Sequence, residues 1–214
     1  MKRTADPSAG ALDHGLQELG LDSTLRAPLL AYLAELKRWN AAYNLTSVRD
    51  PLEMVTRHLL DSLALLPALV EVPVTRLLDV GSGAGLPGIP LALARPDWHV
   101  TVLDSNGKKV RFLRHAVRTL GLVNVEVVDA RAEQYMPDAP YDAVVSRAFS
   151  ALAEFLDQTR NLLAPGGHWL AMKGRLDDNE LAAIPPTVSD PRVVRLTVPG
   201  MREERHLVIV RKVP

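Results

Sequence analysis

From residue 76 onward, five short apolar runs recur, each stopping at a polar or conformationally free residue. They are Arg76-Leu77-Leu78-Asp79-Val80, Val100-Thr101-Val102-Leu103-Asp104, Val125-Glu126-Val127-Val128-Asp129, Tyr141-Asp142-Ala143-Val144-Val145-Ser146 and Trp169-Leu170-Ala171-Met172-Lys173. Runs this short, rich in valine and leucine, read as buried strands. Between them lie stretches of helical spacing such as Val110, Leu113, Val117 and Leu120. Strands alternating with helices require right-handed crossovers, which predicts a parallel sheet covered on both faces. Val193 to Val198 and His206 to Lys212 read as two further strands, paired antiparallel through a short Gly-containing turn. The chain is therefore expected to be α/β and Rossmann-like. Its seven-stranded sheet is mostly parallel with an antiparallel last strand.

The first seventy or so residues follow a different rule. Leu25, Leu29, Leu33, Leu36 and Trp39 make a stripe at helical spacing. Asp50-Pro51-Leu52-Glu53 combines an N-cap acid, proline at the first helical position and glutamate at the third. The helix it opens carries Val55, Leu59, Leu63 and Leu66 and is expected to end before Pro67. These patterns divide the chain into an N-terminal helical extension over residues 1–72, packed on the core, and a sheet domain over 73–214. A hydrophobic fraction of 47% is enough for a real core.

Asp79-Val80-Gly81-Ser82-Gly83-Ala84-Gly85-Leu86-Pro87-Gly88 follows the first strand and opens a helix. Glycines there allow a tight turn and let backbone N–H groups approach a ligand. Read from Gly81 the loop is G-x-G-x-G, a methyltransferase form; read from Gly83 it is G-x-G-x-x-G, the dinucleotide form. Asp104 ends the second strand and suits the ribose hydroxyls of either cofactor. Asp129-Ala130-Arg131-Ala132-Glu133 follows the third strand, where methyltransferases of this fold meet adenine. Leu162-Leu163-Ala164-Pro165-Gly166-Gly167, read as a helix end and turn before the fifth strand, is common in that class and has no dinucleotide role. Together they favour S-adenosylmethionine and the class I methyltransferase fold. Carboxylates suit the cationic methionine half of that cofactor, so Asp79 is a candidate acceptor for its amino group as well as a cap.

Longer motifs point to one family. Gly81 to Leu91, Asp104 to Leu113, Ser146-Arg147-Ala148-Phe149 and Met172-Lys173-Gly174 are its main part. With them stand Trp39-Asn40, Tyr43-Asn44-Leu45-Thr46, Arg57-His58-Leu59-Leu60-Asp61-Ser62 and the terminal Arg205 to Lys212. In these the chain resembles the ribosomal RNA small subunit methyltransferase G family, also called glucose-inhibited division protein B. The resemblance implies S-adenosylmethionine-dependent methylation of guanine N7 in 16S ribosomal RNA of the small subunit. It also implies cofactor contacts at Gly81, Leu86, Ala132, Glu133 and Arg147; Gly83 and Asp104 join them from the loop and strand reading. N7 carries an in-plane lone pair and no proton, so no general base is needed and none is nominated.

Three residues are candidates for positioning RNA. Arg147, just past the fourth strand, would bridge cofactor and RNA, or form a surface ion pair. Lys173, at the end of the fifth strand, would hold a phosphate, or be a solvated lysine. Asn44 would donate to the guanine carbonyl, or cap a turn. His58 and Asp61 read as structural. Lys108, Arg111, His115 and Arg118 recur at helical spacing beside Lys109 and Arg114. That basic face is either solvated or one wall of a phosphate track.

Lysine plus arginine and aspartate plus glutamate both number 25, so there is no overall basic excess of the kind nucleic-acid proteins usually carry. RNA contact must then come from a local patch. The absence of cysteine rules out disulfides, thiolate metal sites and cysteine nucleophiles, and no His and carboxylate cluster has metal-ligand spacing. The start, Met1-Lys2-Arg3-Thr4, has no apolar run behind it, and no run approaches the ~20 residues that cross a bilayer. The expectation is a monomeric cytoplasmic protein with no membrane partner. Other readings are a small-molecule methyltransferase, a nicotinamide-dependent oxidoreductase and a non-catalytic RNA-binding ribosome assembly factor.

Overall fold

A computed structural model describes residues 7–147, 149 and 151–213. The basic start of the chain and Ala148 of the fourth-strand motif lie outside them. Two long helices come first, α1 (Pro7–Glu18) and α2 (Arg26–Tyr43). Next come α3 (Pro51–Met54), a π-helical segment (Val55–Leu60) and α4 (Asp61–Leu63), running without a break. The alternating part is β1 (Arg76–Val80), α5 (Gly88–Ala94), β2 (His99–Asp104), α6 (Gly107–Leu120), β3 (Val125–Asp129), β4 (Tyr141–Ser146), α7 (Leu152–Thr159) and β5 (Leu163–Lys173). The chain closes with α8 (Asp178–Ala182), β6 (Arg192–Arg195) and β7 (His206–Arg211).

The helix expected from Asp50 starts as read: the Asp50 carboxylate accepts from Glu53 N–H at 2.9 Å, with Pro51 in the first turn. It does not continue to Leu66. It widens into the π segment, ends at Leu63, and a separate 3₁₀ turn runs through Pro67 over Leu66–Leu69. His58, Asp61 and Ser62 are all buried along this stretch. Ser62 donates to the His58 carbonyl at 2.6 Å, which satisfies a hydroxyl otherwise stranded in the core.

The strands lie in the order β3-β2-β1-β4-β5-β7-β6, and β7 alone runs against the others. The sheet is thus the expected seven-stranded one. Two local corrections follow. The Pro165-Gly166-Gly167 step does not precede β5 but lies inside it, where the register against β4 shifts between Tyr141 and Ala143. Gly166 sits at φ 76° there, and Gly166 and Gly167 exchange backbone hydrogen bonds with Lys212. The β6–β7 link is also longer than a tight turn, because β6 stops at Arg195 and β7 starts at His206.

Neighbouring residues alternate between two apolar layers. Leu77, Val100, Val145 and Leu170 face one, and Leu78, Val144, Trp169 and Val208 the other. The first layer is continuous with Leu12, Leu16, Leu29, Leu36 and Leu59 from the N-terminal helices. Helices α5 and α6 cover this face of the sheet, and the N-terminal helices pack over them, α2 against α6 and α4 against α5. Strand order reverses between β1 and β4, and the carboxyl edge beside that switch is where such sheets form a crevice. No helix among the described residues is long and apolar enough to cross a membrane.

Candidate functional site

The loop after β1 is built on left-handed backbone, with φ of 68° at Gly81, 60° at Gly83 and 90° at Gly85. Side chains disfavour that conformation, which accounts for the glycine spacing. Two contacts tie the loop to the end of β2: Ser82 N–H donates to the Leu103 carbonyl at 3.0 Å, and Gly83 N–H to Asp104 Oδ2 at 2.9 Å. Asp104 Oδ1 accepts from Asn106 N–H at 2.8 Å. A carboxylate offers about four lone-pair directions, so each oxygen keeps capacity for a hydroxyl. Gly81, Asp104, Ala132 and Glu133 line one cavity of ≈160 Å³, together with Phe149 and Gln158. Four of the expected cofactor residues are thus in one place. Leu86 is buried inside the turn, its N–H donating to the Ser82 carbonyl at 2.9 Å, and does not line that cavity.

Asp79 is fully buried at the end of β1. Its Oδ2 accepts from Gly88 N–H at 2.8 Å, so the capping role is real, but Oδ1 has no partner among the described residues. Burial pushes this carboxyl up to about 7, while the Gly88 N–H and the charge of Arg147 favour its ionised form. A β-carbon at Gly88 would stand 2.6 Å from Val102 Cγ1 and 2.8 Å from Asp79 Oδ2, so only glycine admits this close packing. An unsatisfied buried acceptor beside the glycine loop is what a cationic amino group would complement. The residues present therefore fit S-adenosylmethionine: Asp79 for the methionine end, Asp104 for the ribose, Ala132 and Glu133 for the base.

Tyr32 was not singled out by any motif. It comes from α2, is fully buried, and donates its hydroxyl to the Ala84 carbonyl at 2.6 Å. The N-terminal segment thus pins the glycine loop directly. Burial raises the phenol far above its ordinary range, so it stays a donor.

A second, larger cavity of ≈530 Å³ shares Phe149 with the first and opens at the same edge. Arg147 lines it, donating from Nη1 to Asp61 Oδ2 at 2.9 Å and to the Arg57 carbonyl at 3.3 Å. Arg205 donates from Nε to Asp61 Oδ1 at 2.9 Å. Asp61 is fully buried, so one carboxylate of the N-terminal segment holds two guanidinium groups from the sheet domain. His58 lines the same wall with Nε2 2.9 Å from Thr46 Oγ1. Burial lowers its pKa to about 4, which keeps it neutral at pH 7.

The other RNA candidates have local partners. Lys173 is largely buried rather than solvated. Its Nζ donates to Glu180 Oε1 at 2.5 Å and to the Phe149 carbonyl at 3.1 Å, bracing the end of β5 against α8. Asn44 is the left-handed C-cap of α2 (φ 49°), accepts from Arg49 at 2.9 Å, and lines neither cavity. The basic face of α6 is split. His115 meets Glu35 at 2.6 Å and packs on Trp39 of α2, 4.9 Å between rings, while Lys108, Arg111, Arg114 and Arg118 remain exposed. Among the described residues no group of three or more His, Asp or Glu is placed to hold a metal ion.

Sequence and structure comparisons place these features among known proteins. The family model described as rRNA small subunit methyltransferase G matches residues 26–208. Ribosomal RNA small subunit methyltransferase G of Xanthomonas axonopodis pv. citri is 52% identical over 204 residues, 95% of each chain. The protein of the same name from Methylobacillus flagellatus is 51% identical over 201 residues, 93% of this chain and 96% of its own. Among solved structures, a SAM-dependent methyltransferase from Aquifex aeolicus superposes with a TM-score of 0.57 at 20% identity, covering 79% of this chain and 97% of that one. The N-methyltransferase NodS from Bradyrhizobium japonicum gives 0.55 at 18%, covering 72% and 94%. At such identities the structures speak for the class I methyltransferase fold alone.

Proposed function

This chain belongs to the rRNA small subunit methyltransferase G family, and from that membership we propose that it transfers a methyl group from S-adenosylmethionine to N7 of a guanine in 16S ribosomal RNA. The observation that carries the reading is the pair of adjoining cavities at the carboxyl edge. One is lined by the carboxylates and glycines suited to the cofactor, the other by arginines suited to RNA.

S-adenosylmethionine supplies an electrophilic methyl on a cationic sulfur, and guanine N7 meets it with a free lone pair. The protein therefore moves no proton at the acceptor. Its work is placement, and orientation of two reactants can lower a barrier by about 7–11 kcal/mol at most. Asp104 accepts from the ribose, Gly81, Gly83, Ala132 and Glu133 frame the nucleoside, Leu86 backs the loop, and Asp79 takes the amino group. Arg147, held by Asp61, stands between the two cavities. Residues 73–214 carry this machinery as the cofactor domain, with residues 1–72 as its helical extension. The protein acts as a monomer in the cytoplasm on the small-subunit RNA.

A small-molecule acceptor would not need so cationic a second cavity. The test is methyl transfer from labelled S-adenosylmethionine to naked small-subunit RNA, assembled subunits and a small-molecule pool. Label in RNA, mapped to N7 of a guanine, is the expected result. Label only in the small-molecule pool would overturn the RNA acceptor, and no label despite cofactor binding would favour a non-catalytic assembly factor.

A further inference from the structure

The chain has no net charge, yet the larger cavity concentrates one sign. Arg57, Arg147, Lys173, Arg175 and Arg205 line it, against Asp61 and Glu180. Local pairing does not cancel this. Glu180 neutralises Lys173, and Glu203, which lies outside the lining, takes Arg57 at 2.5 Å. Asp61 carries a single charge between two guanidinium groups, so that trio keeps one positive charge. Arg175 is exposed, and no ion pair among the described residues engages it.

We infer that this cavity holds a phosphodiester of the acceptor RNA on Arg205 and Arg175, with Asp61 as the positioning carboxylate that fixes Arg205 and Arg147; the inference rests on the methyltransferase reading above. Topology puts Arg205 there. Because β7 runs antiparallel, the residue before its first position lies at the carboxyl ends of the parallel strands. Lys173 pairs with His206, which brings Arg205 opposite Gly174. A β-carbon at Gly174 would stand 3.4 Å from Arg205 Nη1, so the guanidinium lies along a glycine that leaves room for it. Nε is spent on Asp61, and the two terminal nitrogens form the fork that matches a phosphate. A volume of ≈530 Å³ is in the range that accepts a nucleotide-sized ligand. Asp61 leaves Arg205 no need to search rotamers when the phosphate arrives, which lowers the ordering cost of binding.

The test uses the full-length protein, methyl-transfer kinetics on small-subunit RNA, and calorimetric binding of guanosine 5′-monophosphate and guanosine in the presence of S-adenosylhomocysteine. Arg175→Ala, an exposed change that leaves the fold alone, is expected to raise KM for RNA about three- to tenfold at constant kcat and cofactor affinity. It should also reduce the salt slope of kcat/KM by about 0.7–0.9. Arg205→Lys keeps the charge and loses the fork, so KM rises while the salt slope stays. Asp61→Asn should raise KM for RNA more than it weakens S-adenosylhomocysteine binding, and Asp61→Glu should recover part of the loss. The monophosphate should bind more tightly than the nucleoside, and Arg175→Ala should narrow that difference. Wild-type KM and salt slope in both arginine variants, or equal binding of nucleotide and nucleoside, would overturn the subsite. If wild-type protein transfers no methyl to RNA but prefers the monophosphate, the subsite stands and the RNA methyltransferase reading fails.

Discussion

Replacing Asp79 with asparagine is expected to make the protein more stable and a worse cofactor binder, with the first effect depending on pH. Asp79 is fully buried with one oxygen unpaired, and burial holds its carboxyl up to about 7 against 3.8 for the free side chain. Between those values the folded state binds a proton that the unfolded chain releases. Stability from this group is therefore complete below about pH 4, falls as pH rises through the window, and is flat above about 7. The full span corresponds to about 4 kcal/mol, of which about 2–3 kcal/mol falls between pH 5 and 8.5. Asparagine keeps an acceptor for Gly88 N–H and cannot ionise. The variant's Tm relative to wild type should accordingly rise by about 5–10 °C on going from pH 5 to pH 8.5, at about 2–4 °C per kcal/mol for a chain of this size. His58 works the other way: its pKa is lowered to about 4, so its share of stability is lost as pH falls from 6.5. It is present in both proteins and drops out of the difference. The assay is scanning calorimetry of cofactor-free protein at the two pH values, followed by titration with S-adenosylmethionine. Cofactor affinity should fall about tenfold in the variant, the loss of about 1.4 kcal/mol from one charge-assisted contact. A Tm difference that is the same at pH 5 and pH 8.5 would refute the argument that burial raises the Asp79 carboxyl in the folded state.

Two further outcomes test the link between the N-terminal helices and the site. Tyr32→Phe removes one buried hydroxyl and strands the Ala84 carbonyl, which should cost about 1–2 kcal/mol and lower Tm by about 3–6 °C by calorimetry. The fragment 73–214 should show no cooperative melt by circular dichroism. Without the N-terminal helices, the apolar sides of α5 and α6 that pack against α2 and α4 would face water.

How much was legible follows from how far apart the interacting residues are. The loop from Gly81 to Gly85 and the acid at Asp104 were readable, because a strand end and the turn after it are local patterns. The N-cap at Asp50 was readable for the same reason. The site's remaining polar partners were not. Tyr32 reaches Ala84 across 52 positions, His115 meets Glu35 across 80, and Arg205 meets Asp61 across 144. Lys173 sat at the expected strand end, but its role turned on Glu180, which occupies a short helix with no sequence signal for that contact. The π segment also escaped, because α and π turns bury nearly the same apolar pattern.

By itself the sequence determined the alternation of strands and helices, the glycine loop with its acid partner, and membership of one family. Each depends on periodicities and turns set within a few residues. Only the tertiary structure decided where the positive charge of a neutral chain collects. That depended on the direction of β7, which carries Arg205 to the carboxyl edge, and on the burial of Asp61, which holds Arg147 and Arg205 side by side. Strand direction and burial are set by packing across the whole sheet.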